Sequence, residues 1–412
     1  MKYNLHLENG NTLVYDSFTC SISTELPKDK LEYPYSFDRY CNLDCTSETK
    51  NGKYVLETVK LLFGLNCNYN CLYCNQSTVK ETSVAKQDID AAKRVIDAIA
   101  EKYEITGHIE LWGGEPFVYW KTIKELVPYI RQYFSKAPIS VITNGSLLDL
   151  EKAEFCKQYS VYINISHDGP AQTITRNSVD VLSIPKFQDA FKLLVEEDLF
   201  QSFHFVISNQ NANLYKVVEW FDNNVYPGVC VSTEGIVGVY SYNKQHFPPF
   251  NKTEQAMLME CFNMMAKDEN PRFNFVHRYV ESFNRKLNKA SSVKNIQYPF
   301  GCNDPDDRIL SIDLKGNVLS CHAEPANILK GLGNVLRTVH WARKKDTFIG
   351  WQKRPNCKDC IGLSTCHGGC GVISDEEHAL YCPNRWLQCV ASINGSMGRL
   401  FDTRLTSISR AE

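Results

Sequence analysis

Three cysteines share one short stretch of the chain, Cys67, Cys71 and Cys74, in the spacing C-x3-C-x2-C. Thiolates at this spacing can hold three irons of a cubane 4Fe–4S cluster, which leaves the fourth iron without a protein ligand. A small molecule could bind that open iron. A structural zinc site is the alternative reading, but zinc needs a fourth ligand that this stretch does not supply.

A second group of cysteines occupies the C-terminal part of the chain. Its members are Cys302, Cys321, Cys357, Cys360, Cys366, Cys370, Cys382 and Cys389. In a chain of 412 residues with no secretory leader pattern, 17 cysteines favour metal ligation over disulfides, because a reducing compartment keeps thiols available. The other six are expected to be inert thiols: Cys20, Cys41, Cys45, Cys156, Cys230 and Cys261.

Glycine-rich polar motifs stand between the two cysteine groups: GGEP at 113–116, TNG at 143–145 and SHDGP at 166–170. Glycines let backbone approach a ligand closely, and the carboxylate of Glu115 can receive an ammonium group. Each motif ends a strand-like run, so the elements must bring the motifs to one edge.

Strand-like runs alternate with helical patterns through the middle of the chain. The strand-like runs are 55–65, 108–112, 139–143, 161–166, 203–208 and 229–232, and apolar residues at helical spacing lie at 89–99 and 123–130. This alternation predicts an α/β fold, a partial (β/α)6 TIM-like barrel with a parallel sheet and right-handed crossovers. Function should then lie at the carboxyl ends of the strands.

Four segments follow from this pattern. Residues 1–55 form an N-terminal extension that opens with a hairpin at 3–15 and could contact a substrate or leader peptide. Residues 56–250 form the partial barrel, and 251–295 a helical bridge that holds four of the six methionines, for which core packing is favoured over an adaptable peptide-binding surface. Residues 296–412 form a Cys-rich domain.

The first cysteine trio and the strand-end motifs resemble those of the radical S-adenosylmethionine (SAM) superfamily. The resemblance implies that SAM binds the open iron, that one-electron reduction cleaves it to a 5′-deoxyadenosyl radical, and that this radical removes a hydrogen atom from substrate. GGEP would position the SAM amino group, and Ser166 with Arg176 would lie near its carboxylate. The implied SAM-contacting residues are Tyr73, Gly113, Gly114, Glu115, Asn144, Ser166 and Arg176.

The C-terminal cysteine group resembles the SPASM extension of peptide- and protein-modifying radical SAM enzymes. The resemblance implies two auxiliary 4Fe–4S clusters, three clusters in all. One cluster would use Cys302, Cys321 and Cys370, and with three cysteines it carries either an open iron or a non-cysteine ligand. The other would use Cys357, Cys360, Cys366 and a final ligand that is Cys382 or, as the alternative, Cys389.

The resemblance favours a peptide maturase that installs a carbon–carbon, cyclophane or thioether crosslink or a related oxidation. A sulfatase-type maturase that forms formylglycine, a small-molecule radical SAM dehydrogenase, and a non-enzymatic zinc or iron–sulfur module are the alternatives. His322 occupies the position after Cys321 where the sulfatase group carries an Asp. It is a candidate catalytic base, and a hydrogen bond to the cluster is its alternative role.

The charge balance bears on partners. With 45 Lys and Arg against 47 Asp and Glu, a net charge of −2 disfavours nucleic-acid binding by phosphate neutralisation. No apolar run approaches the roughly 20 residues of a membrane helix, so we expect a cytoplasmic protein. The expected partners are a precursor peptide with its leader and a one-electron reductant such as flavodoxin or ferredoxin.

Overall fold

The computed structural model describes residues 1–27, 30, 49–50, 52–76, 87–238, 244–245, 247–287, 302, 306–321 and 331–411. The chain divides into two compact units. The first unit comprises Met1–Leu43, Phe205–Cys302 and Ile349–Glu412, and the second comprises Asp44–His204 and Asn303–Phe348. The predicted segment boundaries stay predictions. Three residues singled out above, Cys41, Cys45 and His322, lie outside the described residues.

The elements of the described residues are numbered in chain order. The strands are β1 (Lys2–Leu7), β2 (Thr12–Asp16), β3 (Ser21–Ile22), β4 (Thr49–Lys50), β5 (Lys53–Leu62), β6 (Tyr103–Trp112), β7 (Ile139–Thr143), β8 (Val161–Ser166), β9 (Phe200–Ile207), β10 (Val231–Ile236), β11 (Ile309–Asp313), β12 (Val318–Leu319) and β13 (Leu405–Arg410). The α-helices are α1 (Ile89–Lys102), α2 (Trp120–Tyr133), α3 (Leu150–Tyr159), α4 (Gln172–Thr175), α5 (Pro185–Glu196), α6 (Leu214–Asn224), α7 (Lys252–Lys267), α8 (Asn274–Asn284), α9 (Trp341–Asp346), α10 (Leu363–Cys366) and α11 (Asp375–Phe401).

A curled sheet organises the second unit, in the order β9-β8-β7-β6-β5-β11-β12. The pairs from β5 through β9 are parallel. The predicted α/β class and partial barrel are therefore confirmed. The end of β9 belongs to the first unit, where β10 lies beside it and Val237 N donates to Ile207 O over 2.7 Å.

The sheet also contains a strand that the alternating pattern did not predict. β11 pairs in parallel with β5 through five consecutive residues, and all but its first residue are buried. A strand buried on both faces has no polar alternation to mark it, which explains why the pattern of 296–412 concealed it.

Helix α1 shows how the local sequence positions a crossover. Asp88 caps it by accepting from Ala91 N over 2.9 Å, and Asp90 in the first turn opposes the positive end of the helix dipole. Ala92, Val95, Ile96 and Ile99 recur at helical spacing and are buried. Capping and the apolar stripe together fix where the helix begins and which face it turns to the core.

The first unit contains a small sheet and the helices α6, α7, α8, α10 and α11. The sheet is antiparallel in the order β13-β1-β2-β3, and the predicted hairpin at 3–15 is the β1–β2 pair. Helix α11 packs along α7 and α8, and the shared core includes Tyr15, Phe283, Ile393 and Met397. In the part of the chain that the structure describes, no helix is long and apolar enough to cross a membrane.

Candidate functional site

The loop that follows β5 carries the first cysteine trio. Cys67, Cys71 and Cys74 are all half-buried, and a tight turn joins Cys74 N to Cys71 O over 3.1 Å. The backbone N–H of Tyr69 donates to the Cys67 sulfur over 3.4 Å. Half-buried thiols with a donor on one sulfur suit a cluster that a small molecule must reach, because such donors stabilise thiolate ligands.

Two glycines join the end of β6 to this loop. A Cβ on Gly113 would lie 2.7 Å from Gly64 O, and one on Gly114 would lie 2.6 Å from both Leu65 O and Asn66 O. No side chain fits at either position. The close approach in the structure is thus between two stretches of backbone, and contact of these glycines with SAM stays a prediction.

Glu115 is held rigidly where β6 and β7 end. It is 1% exposed, and its carboxylate accepts from Thr143 Oγ1 over 2.7 Å, Asn144 N over 2.8 Å and Phe117 N over 3.0 Å. Burial raises the pKa of Glu115, and these three hydrogen bonds oppose that rise. A buried carboxylate in this setting is a strong acceptor for an ammonium group.

Asn144 links Glu115 to the cysteine trio. Its backbone N–H donates to Glu115, while its side-chain Nδ2 lies 3.9 Å from the Cys67 sulfur and 2.9 Å from Asn68 Oδ1. The chain can turn here because Gly145 adopts a φ of +77°, which favours glycine. The predicted amine-binding carboxylate and a predicted iron ligand therefore share one intermediary.

On the other side of the trio, Tyr73 is anchored by residues that follow β8. Its hydroxyl donates to Asp168 Oδ2 over 2.7 Å and accepts from Arg176 Nη1 over 2.6 Å. Thr175 Oγ1 donates to the same Asp168 oxygen over 2.6 Å. Burial raises the pKa of Tyr73, so the hydroxyl keeps its proton.

Arg176 has hydrogen-bonding capacity to spare. Its buried Nε has no hydrogen-bond partner among the described residues. Burial alone would lower its pKa, but the neighbouring Tyr73, Cys71 and Asp168 raise it instead. A permanently charged, buried donor of this kind fits the carboxylate that the sequence assigns to it. Ser166, the last residue of β8, is half-buried.

His167 keeps this loop in place. Its Nδ1 accepts from Gly169 N over 3.0 Å, so its Nε2 carries the proton and donates to Asp180 Oδ1 over 2.9 Å. The ring is fully buried. Burial alone would raise the pKa of Asp180, but the hydrogen bond from His167 lowers it.

The C-terminal cysteines of the first unit lie on one loop and on α11. Reverse turns connect them, with Cys360 N donating to Cys357 O over 3.1 Å and Gly369 N to Cys366 O over 2.9 Å. Burial, then the neighbouring Cys366, Cys382 and Cys360, raise the pKa of Cys357 to about 12. These four thiols influence one another, so they are grouped as one donor set.

Cys382 and Cys389 differ in their neighbours. Cys382 contributes to the raised pKa of both Cys357 and Cys360, and Cys389 hydrogen-bonds to Cys366. Seven residues separate them, which on a helix means the same face about 10 Å apart. The assignment of Cys382 as the fourth ligand, with Cys389 as the alternative, stays a prediction.

The three cysteines predicted to hold the other auxiliary cluster are divided between the two units. Cys302 and Cys370 belong to the first unit, while Cys321 lies in the second unit, 7% exposed and two residues beyond β12. Among the described residues, no three His, Cys, Asp or Glu side chains converge closely enough for a single metal ion. A four-iron cluster is a larger group, and its ligands stand further apart.

Two tyrosines of the N-terminal hairpin support the C-terminal cysteine loop. Tyr3 donates its hydroxyl to Asp359 O, and the hydroxyl of Tyr15 lies 2.6 Å from Ser364 Oγ. The hairpin was expected to offer strand edges for peptide contact, but β13 pairs along β1 and β3 pairs with the end of β2. Within the described residues, the hairpin thus braces the loop that carries the thiols.

Comparison with known proteins agrees with this geometry. Residues 61–221 match the radical SAM superfamily. The chain carries a radical SAM domain. Such domains bind SAM and a 4Fe–4S cluster, and the radical SAM domain of this chain presents three cysteines, a buried carboxylate and a buried guanidinium that fit both groups.

Two relatives that match about three quarters of the chain are a radical SAM cyclopropyl synthase and a sulfatase-maturating enzyme. The chain is 25% identical over 349 residues to the radical SAM cyclopropyl synthase TigE of Paramaledivibacter caminithermalis, covering 76% of this chain and 68% of the relative. It is 23% identical over 350 residues to a cysteine-type anaerobic sulfatase-maturating enzyme of Clostridium perfringens, covering 77% and 90%. Beyond its radical SAM domain, the chain thus aligns along most of the length of both enzymes.

A solved structure shows the same fold. The structure of native anSMEcpe with bound AdoMet and Kp18Cys peptide superposes with a TM-score of 0.57 at 18% identity, covering 82% of this chain and 97% of that one. The radical SAM domain therefore lies in a chain with the architecture of these enzymes.

Several organising residues of the radical SAM domain were not predicted as site residues. Asp168, Thr143, Thr175 and His167 hydrogen-bond to the predicted site residues or to the turns that carry them. Asp168 had a signal in the SHDGP motif, which drew attention to Ser166 instead. Thr143 opens the TNG motif, whereas Thr175 lies outside the motifs, and the role of each depends on which strand ends lie side by side.

Proposed function

We propose that this protein is a radical SAM peptide maturase with a SPASM extension. It cleaves SAM to a 5′-deoxyadenosyl radical, which removes a hydrogen atom from a ribosomally made precursor peptide and leads to a crosslink or related oxidation. The observation that carries the proposal is the path from Glu115 through Asn144 to Cys67, since it ties an amine-binding carboxylate to a cluster ligand. Cluster-bound SAM supplies the radical chemistry.

The residues of the chain then have separate tasks. Cys67, Cys71 and Cys74 hold three irons, and Glu115 receives the ammonium group of SAM. Arg176 pairs with the SAM carboxylate through a donor that is otherwise unsatisfied among the described residues. Burial of Glu115 keeps water away from that pair, which strengthens it.

The peptide substrate is supported by the kind of relative that the chain resembles over most of its length. A cyclopropyl synthase and a sulfatase-maturating enzyme are its matches, and anSMEcpe has been solved with a peptide bound. The SPASM-like cysteines supply two further clusters in this proposal. Formation of a crosslink removes two hydrogens, one to the 5′-deoxyadenosyl radical and one as a proton and an electron, and a cluster held by the SPASM-like cysteines would serve as the electron acceptor.

A sulfatase-type maturase is the second candidate. It is favoured by the match to the Clostridium perfringens enzyme, which covers 90% of that enzyme. Both candidates use a reductant such as flavodoxin or ferredoxin in the cytoplasm, and both need three clusters. They differ in product, because formylglycine formation changes a single Cys or Ser whereas a crosslink joins two residues.

The test uses anaerobically prepared protein with its iron–sulfur clusters. Reduction in the presence of SAM should yield 5′-deoxyadenosine, and the conservative change Glu115→Gln should weaken SAM binding while leaving the iron content unchanged. Co-expression with candidate precursor peptides should give a product lighter by two hydrogens, with fragmentation interrupted between the joined residues. A peptide that is never altered, under conditions where SAM is cleaved, would count against the maturase.

A further inference from the structure

A groove runs along the outer edge of β13 in the first unit, and we call it the β13 groove. Its volume is about 480 Å³, and it is lined by the strand itself together with Tyr3, Met259, Asp359, Cys360, Ile361, Trp386 and Val390. The indole of Trp386 is 41% exposed there. An apolar wall beside a strand edge is the geometry that extended peptides use when they add to a sheet.

The backbone of β13 is available on the groove side. Ala411 N donates to Lys2 O over 3.1 Å, and Asn4 is opposite Ser409, so the odd-numbered residues of β13 bond to β1. Because bonded pairs alternate along antiparallel strands, the amides of Ile408 and Arg410 point away from β1. Within the described residues, β13 is the end strand of its sheet.

The side chains of β13 set the register of a guest strand. Ile408 is opposite Leu5 and Arg410 is opposite Tyr3, both buried, so these two residues lie on the core face of the sheet. An added strand would direct every second side chain toward the same face. Those side chains would enter the groove over Met259, Trp386 and Val390.

The exposed edge of β13 has few of the features that normally block the addition of another strand. Exposed edges are normally blunted by lysine, proline or bulges. β13 has a bulge only at its pairing with His6 and Leu7, and Arg410 is its one charge. Met259 on the wall is unbranched and flexible. Of the other methionines on α7, Met257 and Met264 are 37% and 44% exposed whereas Met265 is fully buried, so the expected core packing describes Met265 but not the two exposed ones.

We propose that the β13 groove binds an extended segment of the substrate peptide as an added strand, and this rests on the proposed function. The segment has apolar side chains at alternate positions and an acidic side chain opposite Arg410. A second copy of the chain is a poorer guest, because its own β13 has no acidic side chain to place opposite Arg410. Cys360 in the wall places the bound segment beside a predicted cluster ligand.

The test compares two substitutions at one position in cluster-loaded, full-length protein. Ile408→Pro removes the amide that the guest would use and leaves the amides that bond to β1, whereas Ile408→Val keeps both amide and apolar contact. The probes are fluorescent synthetic peptides that alternate Leu or Val with Thr and end in Glu, and scrambled peptides of the same composition. Iron content and thermal unfolding check the fold of each variant.

The alternating peptides should bind the wild-type protein and protect amides of residues 404–411 from hydrogen exchange. Ile408→Pro should weaken binding at least about tenfold, as expected for a lost backbone hydrogen bond and disturbed register, and Ile408→Val should not. If Ile408→Pro does not fold, a comparison of Trp386→Ala with Trp386→Phe tests whether the apolar wall of the groove contributes to peptide binding. In that pair, the alanine variant should bind more weakly.

Three results would overturn the inference: no binding to wild type, equal binding by both members of a pair, or protection elsewhere without protection of β13. A concentration-dependent dimer abolished by Ile408→Pro would assign the groove to a second copy instead. A co-expressed peptide that is modified while β13 stays unprotected would remove this inference and leave the maturase standing. Peptide binding in the groove, with no modified product from any candidate peptide, would count against the maturase and leave this inference standing.

Discussion

The hydroxyl of Tyr73 donates to a carboxylate oxygen of Asp168 over 2.7 Å, joining the cysteine loop after β5 to the turn after β8. Two strand ends that are not neighbours in the sheet are thereby held in one arrangement. The same hydroxyl accepts from Arg176, so a single phenol orients both the loop of the first trio and the predicted partner of the SAM carboxylate.

Replacing this phenol should weaken SAM binding. In Tyr73→Phe, Arg176 loses its acceptor and Asp168 keeps only the Thr175 hydroxyl of the two donors described here, which removes about 1.5–3 kcal/mol of charge-assisted hydrogen bonding. We expect the KM for SAM in 5′-deoxyadenosine formation to rise about tenfold, with kcat nearly unchanged. Tyr133→Phe, which removes an exposed hydroxyl bonded to Asp97, is the control. An unaltered KM in Tyr73→Phe would show that the phenol positions nothing.

The glycine junction should be intolerant of a methyl group. In Gly114→Ala, the new Cβ would lie 2.6 Å from two backbone carbonyl oxygens, so backbone must move, at a cost of about 1–3 kcal/mol. We expect a lower thermal midpoint and loss of iron from the first trio. Gly228→Ala is the matched control, because its Cβ meets nothing within 4 Å and only its φ of +84° is unfavourable. Equal effects of the two changes would contradict the steric account.

Substitutions of Cys382 and Cys389 should have different effects on the iron content of the protein. Cys382→Ser removes a member of the four-thiol group and should lower iron by about four atoms per chain. Cys389→Ser leaves that group intact and should retain the iron, because its thiol contacts Cys366 rather than joining the set. Iron and sulfide analysis with electron paramagnetic resonance of the reduced protein makes the comparison. The opposite ranking would assign the ligand to Cys389.

His277 should make the protein less stable in mild acid. Its ring is 5% exposed and its Nε2 donates to Met265 O and Asp268 O, each over 2.8 Å. Burial lowers the pKa of His277, so the unfolded chain takes up a proton at a higher pH than the folded chain does. The stability held by the neutral ring is therefore complete above an unfolded pKa of about 6.5 and is lost as pH falls through it.

The measurement is the free energy of unfolding in urea at about pH 7.5 and about pH 5.5, which bracket that value. Between these two pH values, the free energy of unfolding of the wild type should fall by about 1 kcal/mol more than that of His277→Gln. The glutamine keeps an N–H donor but does not titrate. The variant serves as its own control for all other titrating groups. Parallel losses in the two proteins would exclude His277 as the cause.

The sequence predicts an element accurately where local residues mark its ends, and less accurately where pairing with another strand sets its length. β7 and β8 begin and end where their apolar runs predicted, since a turn motif closes each of them. β6 was predicted from residue 108 but begins at Tyr103, directly after α1, because pairing with β5 extends it through polar residues. Register against a neighbour is not encoded in the strand's own composition.

The candidate site likewise combines residues that motifs mark with contacts that only the fold creates. Glu115 and Asn144 stand in motifs and Arg176 follows one, and the structure brings all three around the loop of the first trio. The Asp168 anchor and the glycine junction depend on which loops meet, and the pairing of β1 with β13 joins residues about 400 positions apart. No local pattern reveals a contact of that span.

That pairing has a consequence for biosynthesis. β1 leaves the ribosome about 400 residues before β13 does, so the hairpin has one edge bare throughout that interval of synthesis. The core that Tyr15 shares with Phe283 and Ile393 cannot close earlier either, because α11 also emerges late. Contacts of such long sequence separation form slowly. Assembly of the thiol loop that Tyr3 and Tyr15 brace is thus a late event, and iron delivered to the nascent chain would find the cysteines of the second unit first.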